Sequence, residues 1–221
     1  MAIAFISSVA AAGSPTGGTT GSVDTTGANF IAFGVAYNAG STVVVSDSKL
    51  NTWNVLTVQT HGAVSCAIYY AINPTVGTGH TFTTAGVEIY TAMAVEAFSG
   101  VHTTAPFDQE NGANAFASTL ATGSVTPGED SEVVITVLAS NGACTPTSID
   151  GGFTETSETN FGSGNNYGVS LAYLIQTTAA AANPTWTRTN TNGMAARIAT
   201  FKVAATSAVK GQVLGKWSWP I

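Results

Sequence analysis

Apolar and β-branched residues recur with a period of two along most of the chain, in short runs cut by clusters of Gly, Pro, Asn and Asp. Alternation of this kind marks half-buried strands, and the clusters between them mark turns. The pattern predicts strands over Ala2–Val9, Phe30–Tyr37, Thr42–Val45, Thr52–Gln59, Val64–Ile72, His80–Thr84 and Tyr90–Phe98. A second series runs over Ser131–Leu138, Ser148–Thr154, Tyr167–Ile175, Thr185–Arg188 and Ala195–Val203. No window combines a 3.6-residue apolar period with caps; the alanine-rich Thr178–Ala182 is short and is stopped by Asn183-Pro184. The apolar start has no basic residue before it, unlike a secretory signal, and reads as the first strand.

The two series resemble each other. Asp47 follows the apolar run Thr42–Val45, and Asp150 stands in a comparable turn 103 residues later. The same spacing carries Ile68 to Leu171, Tyr70 to Tyr173, Ile72 to Ile175, Val95 to Ile198 and Phe98 to Phe201; Phe82 meets Trp186 one residue late. Solenoid repeats are far shorter, so a period of this size describes two half-domains. Each would present an apolar sheet face, and burying the two faces against each other releases roughly 25 cal/mol per Å² of apolar area. The expectation is one all-β domain over residues 1–205, with half-repeats at about 28–100 and 131–203. It would be a two-sheet antiparallel β-sandwich, a jelly roll or a lectin-like relative, with strands exchanged between the sheets. Thr103–Asp130, with Pro106 and Pro127, reads as an exposed connector between the halves.

The last segment, residues 206–221, breaks the pattern. Two of the four Trp residues, Trp217 and Trp219, fall in its final seven positions, and Pro220 opposes a central strand there. It reads as an extended arm whose Trp217, Trp219, Pro220 and Ile221 dock on a partner, because Trp is enriched among interface anchors. Packing of the tail back onto its own domain is the other reading.

Charge narrows the function classes. Charged residues are 8% of the chain, against roughly 25% in ordinary soluble domains, and the net charge is −6 with six basic residues. A nucleic-acid binder needs a dense basic footprint, which this chain lacks. Low charge with abundant Gly, Thr, Ser and Ala suits extracellular or particle-bound β proteins. Cys66 and Cys144 are read as free buried thiols in preference to one bridge, since no disulfide framework surrounds them.

Candidate chemistry is sparse, and neither an enzyme activity nor a cofactor is expected. His61, His80 and His102 are isolated, without zinc-ligand spacing. Asp47 with Asn51, and Asp150, could offer oxygens to Ca²⁺, but a turn carboxylate accepting backbone N–H bonds is the simpler account. Among carboxylate pairs for glycoside hydrolysis, Glu88 and Glu96 would lie ~26 Å apart on a continuous strand, whereas Asp108 and Glu110 would lie ~6.6 Å apart in what reads as a loop. Glu96 sits in the apolar stretch Ala94–Phe98 with no partner carboxylate in sight. Ser207-Ala-Val-Lys210 matches S-x-x-K but lacks its companion motifs. Trp53, Trp186, Tyr90 and Tyr167 are the aromatic residues that could stack on sugar rings, although inward packing competes for them.

The stretch Ser46-Asp47-Ser48-Lys49-Leu50-Asn51-Thr52-Trp53 resembles the D-S-x-G-N-x-W turn-plus-strand of uncharacterised phage and bacterial lectin-like β-sandwich proteins. Ile68-Tyr69-Tyr70-Ala71 and Glu96–Gly100 resemble the tyrosine-rich strand and the E-x-F-S-G strand that follow in them, with Leu50 standing where Gly is usual. The resemblance spans about residues 28–100 and, through the repeat, extends over 28–203. It implies a virion or surface context and carries over no catalytic residue. The expected role is a bacteriophage virion structural protein, a capsid decoration or cement protein or a fibre component. Its partners would be other virion proteins and further copies of itself. A carbohydrate-binding module or receptor-binding adhesin is the alternative.

Overall fold

A computed structural model describes residues 2–144, 147–160 and 167–205. Within them the chain is all β, in antiparallel sheets, with no helix. The first sheet takes β1 (Ala4–Ala12), β9 (Ala92–Ser99), β3 (Phe30–Asn38), β7 (Val64–Ile72) and β5 (Asn54–Val55) in that order, with β6 (Gln59–His61) also on β7. The second takes β10 (Phe107–Ala121), β15 (Thr185–Phe201), β11 (Val133–Asn141), β14 (Tyr167–Ile175) and β13 (Thr154–Asn160), with β12 (Thr147–Ile149) on β15. A small third sheet, β2 (Gly17–Thr19), β8 (Phe82–Ala85) and β4 (Val44–Asp47), belongs to the first half.

The strand order of the two large sheets is the same with the 103-residue shift applied. β3 and β11 differ by 103 at both ends, as do β7 and β14. Pairing carries the shift too: Phe30 faces Phe98 as Val133 faces Phe201, and Val44 faces Ala85 as Thr147 faces Arg188. The second half runs in single long strands what the first half divides. β10 corresponds to β1 plus β2, where Ser14-Pro15-Thr16 turns the chain, and β15 corresponds to β8 plus β9, where Glu88 and Tyr90 take left-handed φ of 53° and 46°.

Each large sheet is closed by strands of one half alone, so the expected exchange of strands between sheets does not occur in the described residues. Three other expectations change. Residues 103–130 are not an exposed connector: they contain β10, the longest strand but one, whose Asp, Gln and Asn residues hide its period. The two strands read at 185–188 and 195–203 are one, because Asn192 and Gly193 pair with Ala117 and Phe116 instead of turning. The strand read at 148–154 ends at Ile149, since Gly151 and Gly152 turn the chain at φ 71° and 79°. β13 then begins at Thr154; its sequence, Thr-Glu-Thr-Ser-Glu-Thr-Asn, holds no apolar residue to announce it.

The main core lies between the two large sheets. Phe30, Ala32, Cys66, Ile68, Ala94 and Phe98 of the first share one buried cluster with Val133, Ile135, Val137, Leu171, Ala199 and Phe201 of the second. β3 is buried on both faces, which explains its nearly continuous apolar sequence: Phe30 and Ala32 face the second sheet, while Ile31 and Phe33 meet Phe82 of the small sheet and Trp53. The aromatic contacts cross between halves reciprocally. Tyr173 lies on Phe98 and stacks on Phe5 with centroids 5.2 Å from each, and Tyr70 lies 5.2 Å from Phe201, beside Phe107. A contact in which i meets j and the equivalent of j meets the equivalent of i is that of a twofold interface.

Candidate functional site

The residues of the arm, Trp217, Trp219, Pro220 and Ile221, lie outside the described residues. The other sequence candidates can be followed one by one, and most turn out to be structural ties.

Asp47 ends β4 and is 5% exposed. Its Oδ1 accepts from Lys49 N (2.8 Å), Asn51 Nδ2 (3.1 Å) and His80 Nε2 (3.0 Å); its Oδ2 accepts from Asn51 N (3.2 Å) and Trp53 Nε1 (2.9 Å). Five N–H donors take up the lone pairs a cation would need, so this carboxylate is a turn lock and not a calcium ligand. Asp150 Oδ1 likewise accepts Thr185 N at 2.6 Å. His80 Nδ1 meets Thr25 Oγ1 at 2.9 Å, which completes a hydroxyl–imidazole–carboxylate chain. Thr25 is 1% exposed and His80 is fully buried. A nucleophilic hydroxyl must reach its substrate, and this one is sealed in by Gly77, whose N–H it accepts at 3.2 Å.

Asp108 and Glu110 stand on β10, and each carboxylate is occupied. Asp108 accepts Gly128 N at 2.8 Å and pairs with Lys202 at 3.3 Å. Glu110 pairs with Arg197 and accepts Thr57 N and Thr57 Oγ1 at 3.1 and 2.6 Å. Burial would raise the Glu110 carboxyl, but the Thr57 and Arg197 contacts outweigh it and hold the group below its usual value. A carboxylate so held is a poor proton donor.

A closer carboxylate pair, not foreseen from the sequence, sits on the outer face of the second sheet. Glu155 and Glu158 both meet Thr147 Oγ1, the latter at 2.8 Å, and Ser170 Oγ lies 2.8 Å from the same atom. A hydroxyl has one proton to give, so of its three oxygen partners two must donate. Ser170 can be one; the other must be a protonated carboxyl. Glu158 Oε2 also accepts Thr147 N at 3.0 Å. Burial first, and then the neighbouring Glu158 charge, raise the Glu155 carboxyl against the hydrogen bonds of Thr147 and Ser170, which lower it. The bulge between Glu155 and Ser157 puts both side chains on one face. The hollow beside Thr147, about 230 Å³, is walled by Ser148, Thr187, Arg188 and Thr189 and by neither carboxylate, and the pair ties β12, β13 and β14 together. Both thiols, Cys66 and Cys144, are free and fully buried, and burial pushes each up to about 12, which leaves them inert.

Of the four aromatics that could serve as sugar platforms, Trp186 and Tyr167 are buried, with Trp186 Nε1 donating to Thr136 Oγ1 at 3.1 Å. Trp53 packs edge-on against Phe33 and Phe82. Tyr90 packs partly buried against the core. Among the described residues the exposed large aromatic is Phe116 on β10, 69% exposed and opposite Gly193.

The geometry that does face outward is the turn that Asp47 locks. Leu50 sits at its tip, 91% exposed, with a left-handed φ of 62°. Asn51 pins one flank, accepting Thr75 N at 2.6 Å and donating to Thr75 O at 3.1 Å; Lys49 Nζ reaches Thr78 O at 3.2 Å on the other. A left-handed Leu costs about 1–2 kcal/mol relative to Gly, and an exposed apolar side chain recovers none of it. The signal was present in the sequence as the Leu in place of Gly. Compared with known protein families, with curated proteins and with solved structures, the chain matches none.

Proposed function

We propose that this chain is a structural protein of a bacteriophage particle, a capsid decoration or cement protein or a fibre component, that acts through protein–protein contacts and not through catalysis. We read its architecture as a two-sheet β-sandwich in which each half supplies one sheet, in preference to a jelly roll, which requires strands to cross between sheets. The observation that carries the role is Leu50: a strained, rigidly supported turn that displays an apolar side chain. Backbone strain of this kind is retained where the surroundings over-determine it and commonly marks a functional contact. A preorganised anchor loses little entropy on docking, which is how one side chain comes to dominate an interface. Low charge and the resemblance of the Asp47–Trp53 segment to phage β-sandwich proteins support the same reading. The arm, with Trp217, Trp219, Pro220 and Ile221, would supply a second anchor to a neighbouring virion subunit or to another copy.

Mass spectrometry of purified particles should find the chain in stoichiometric amounts, and its absence from them overturns the proposal. Leu50→Asp should leave the melting temperature unchanged while lowering incorporation roughly tenfold or more, the loss of one anchor. Unchanged incorporation removes Leu50 from the interface. Deletion of residues 206–221 tests the arm in the same assay.

A second reading, a carbohydrate-binding adhesin, rests on Phe116, whose exposed ring has no side chain opposite it. Binding on a glycan array that Phe116→Ala abolishes would favour it; a blank array counts against it.

A further inference from the structure

The two large sheets meet along two seams, and equivalent strands form them. At one, the Gln59–His61 strand of the first sheet approaches β10; at the other, β1 approaches β13. Neither seam is joined by a backbone ladder in the described residues, so side chains must hold it. At the β6–β10 seam Glu110 accepts both donors of Thr57 from across the gap and is neutralised within its own sheet by Arg197 of β15, while His61 Nδ1 meets Asn114 Oδ1 at 3.2 Å. Residue 94 is the equivalent of Arg197 by the 103-residue shift, and it is Ala. The β1–β13 seam therefore lacks the guanidinium of its counterpart.

What it holds instead is Glu96, on the inner face of β9 between Ala94 and Phe98, with no exposed surface. Thr156 Oγ1 of β13 donates to Glu96 Oε1 at 2.5 Å, and Glu96 Oε2 has no hydrogen-bond partner. Opposite it in the sheet stand Ser8 of β1 and Ala32 of β3, with Phe98 next on its own face of β9, and Tyr173 of β14 is its titratable neighbour across the core among the described residues. β1 and β3 bring no charged side chain, and Glu155 and Glu158 of β13 are committed to Thr147 on the other face. A buried carboxylate with one hydroxyl donor and no cation is far costlier than the neutral acid, whose orphaned oxygen needs only to be tolerated.

We propose that Glu96 is a proton-operated latch on the β1–β13 seam: the seam is closed while the carboxyl carries its proton and loosens when the proton is lost. Release would hydrate the carboxylate by parting β1 from β13, uncovering Phe5, Phe98 and Tyr173 at that edge, while the β6–β10 seam, whose carboxylate Arg197 neutralises, stays shut. The molecule would then open on one side only. The latch is independent of what the protein assembles with.

The test is amide hydrogen exchange of β1 and β13 in the wild type relative to Glu96→Gln at the same pH, a ratio that cancels the intrinsic pH dependence of exchange. The ratio should climb by as much as tenfold per pH unit between about 5 and 8 and then level off, with β6 and β10 amides unaffected. A ratio independent of pH overturns the proposal, as does equal loosening of both seams. Thr156→Val removes the single donor to the carboxyl and should move the levelling point upward. Should Glu96→Gln fail to fold, the carboxyl ¹³C signal of wild-type Glu96 decides: titration near the ordinary 4.5 ends the proposal, and titration near 8 supports it.

Discussion

Glu96 is also a statement about stability. Burial pushes its carboxyl up to about 8 against the hydrogen bond from Thr156, so the folded chain holds a proton that the unfolded chain releases near 4.5. Between those values folding takes up a proton, and stability falls as pH rises. The contribution is complete below about pH 4.5 and is lost on passing upward through 8. Glu96→Gln, neutral at every pH and of the same shape, should therefore melt higher than wild type at pH 9, by an amount on the order of 3–5 kcal/mol. At pH 4 the two should converge, and scanning calorimetry at both values checks it. Glu155 works in the same direction but is only half-buried, so its Gln variant should shift the profile far less. In the sequence Glu96 stood out as an acid in an apolar run, and that much was legible. The atom that meets it, Thr156 Oγ1, comes from a strand without one apolar residue, and no periodicity announces such a partner.

At the scale of elements, β3 meets β11 and β14 across the core. A Cβ on Gly34 would lie 2.9 Å from Val137 Cγ2 and 3.0 Å from Leu171 Cδ1. Residues 34 and 137 are 103 apart, so these are equivalent positions facing each other across the interface between halves. Two equal side chains cannot occupy that point; one half carries Val and the other Gly, a knob and its hole. Gly34→Val should cost roughly 1–3 kcal/mol by overpacking, and Val137→Gly roughly 2–4 through the cavity it leaves and the loss of a strand-forming residue. The double variant moves the knob to the other sheet and should recover part of the loss, with a coupling of about 1–3 kcal/mol in urea unfolding. Additive losses would mean that the two positions do not share the contact. Gly34 interrupts an otherwise apolar run and was visible as an oddity, but only the pairing of the sheets gives the reason for it. β7 and β14 were legible to the residue because both are dense in β-branched and aromatic side chains. β10 was not, because an edge strand half in water needs no apolar alternation to pair with β15.

For the whole molecule, the division of labour between halves has a consequence for folding. Each half closes its own sheet, yet Phe98 of the first is covered by Tyr173 of the second and Phe201 of the second by Tyr70 of the first. Separated, a half keeps the ladders of its own sheet but loses the short Val101–Val203 bridge and the partner of its inner face, where Phe30, Ile68, Val137 and Leu171 would meet water at roughly 25 cal/mol per Å². It would also keep two unprotected edges, β1 and the β5–β6 side in the first half, which invite association. Fragments 1–105 and 106–205 produced alone should therefore lack a cooperative melting transition and aggregate. Co-expressed, they should assemble one to one and melt as a unit, because the linker between Ala105 and Pro106 contributes no core contact that the sheets do not already make. Purification of a single tagged half checks this directly: recovery of the untagged half in equal amount is expected. A first half that is monomeric and cooperative by itself would show that the face between the sheets is dispensable. A homodimer of the first half would be informative in another way, since its Gly34 would then face a second Gly34 and leave the hole without its knob.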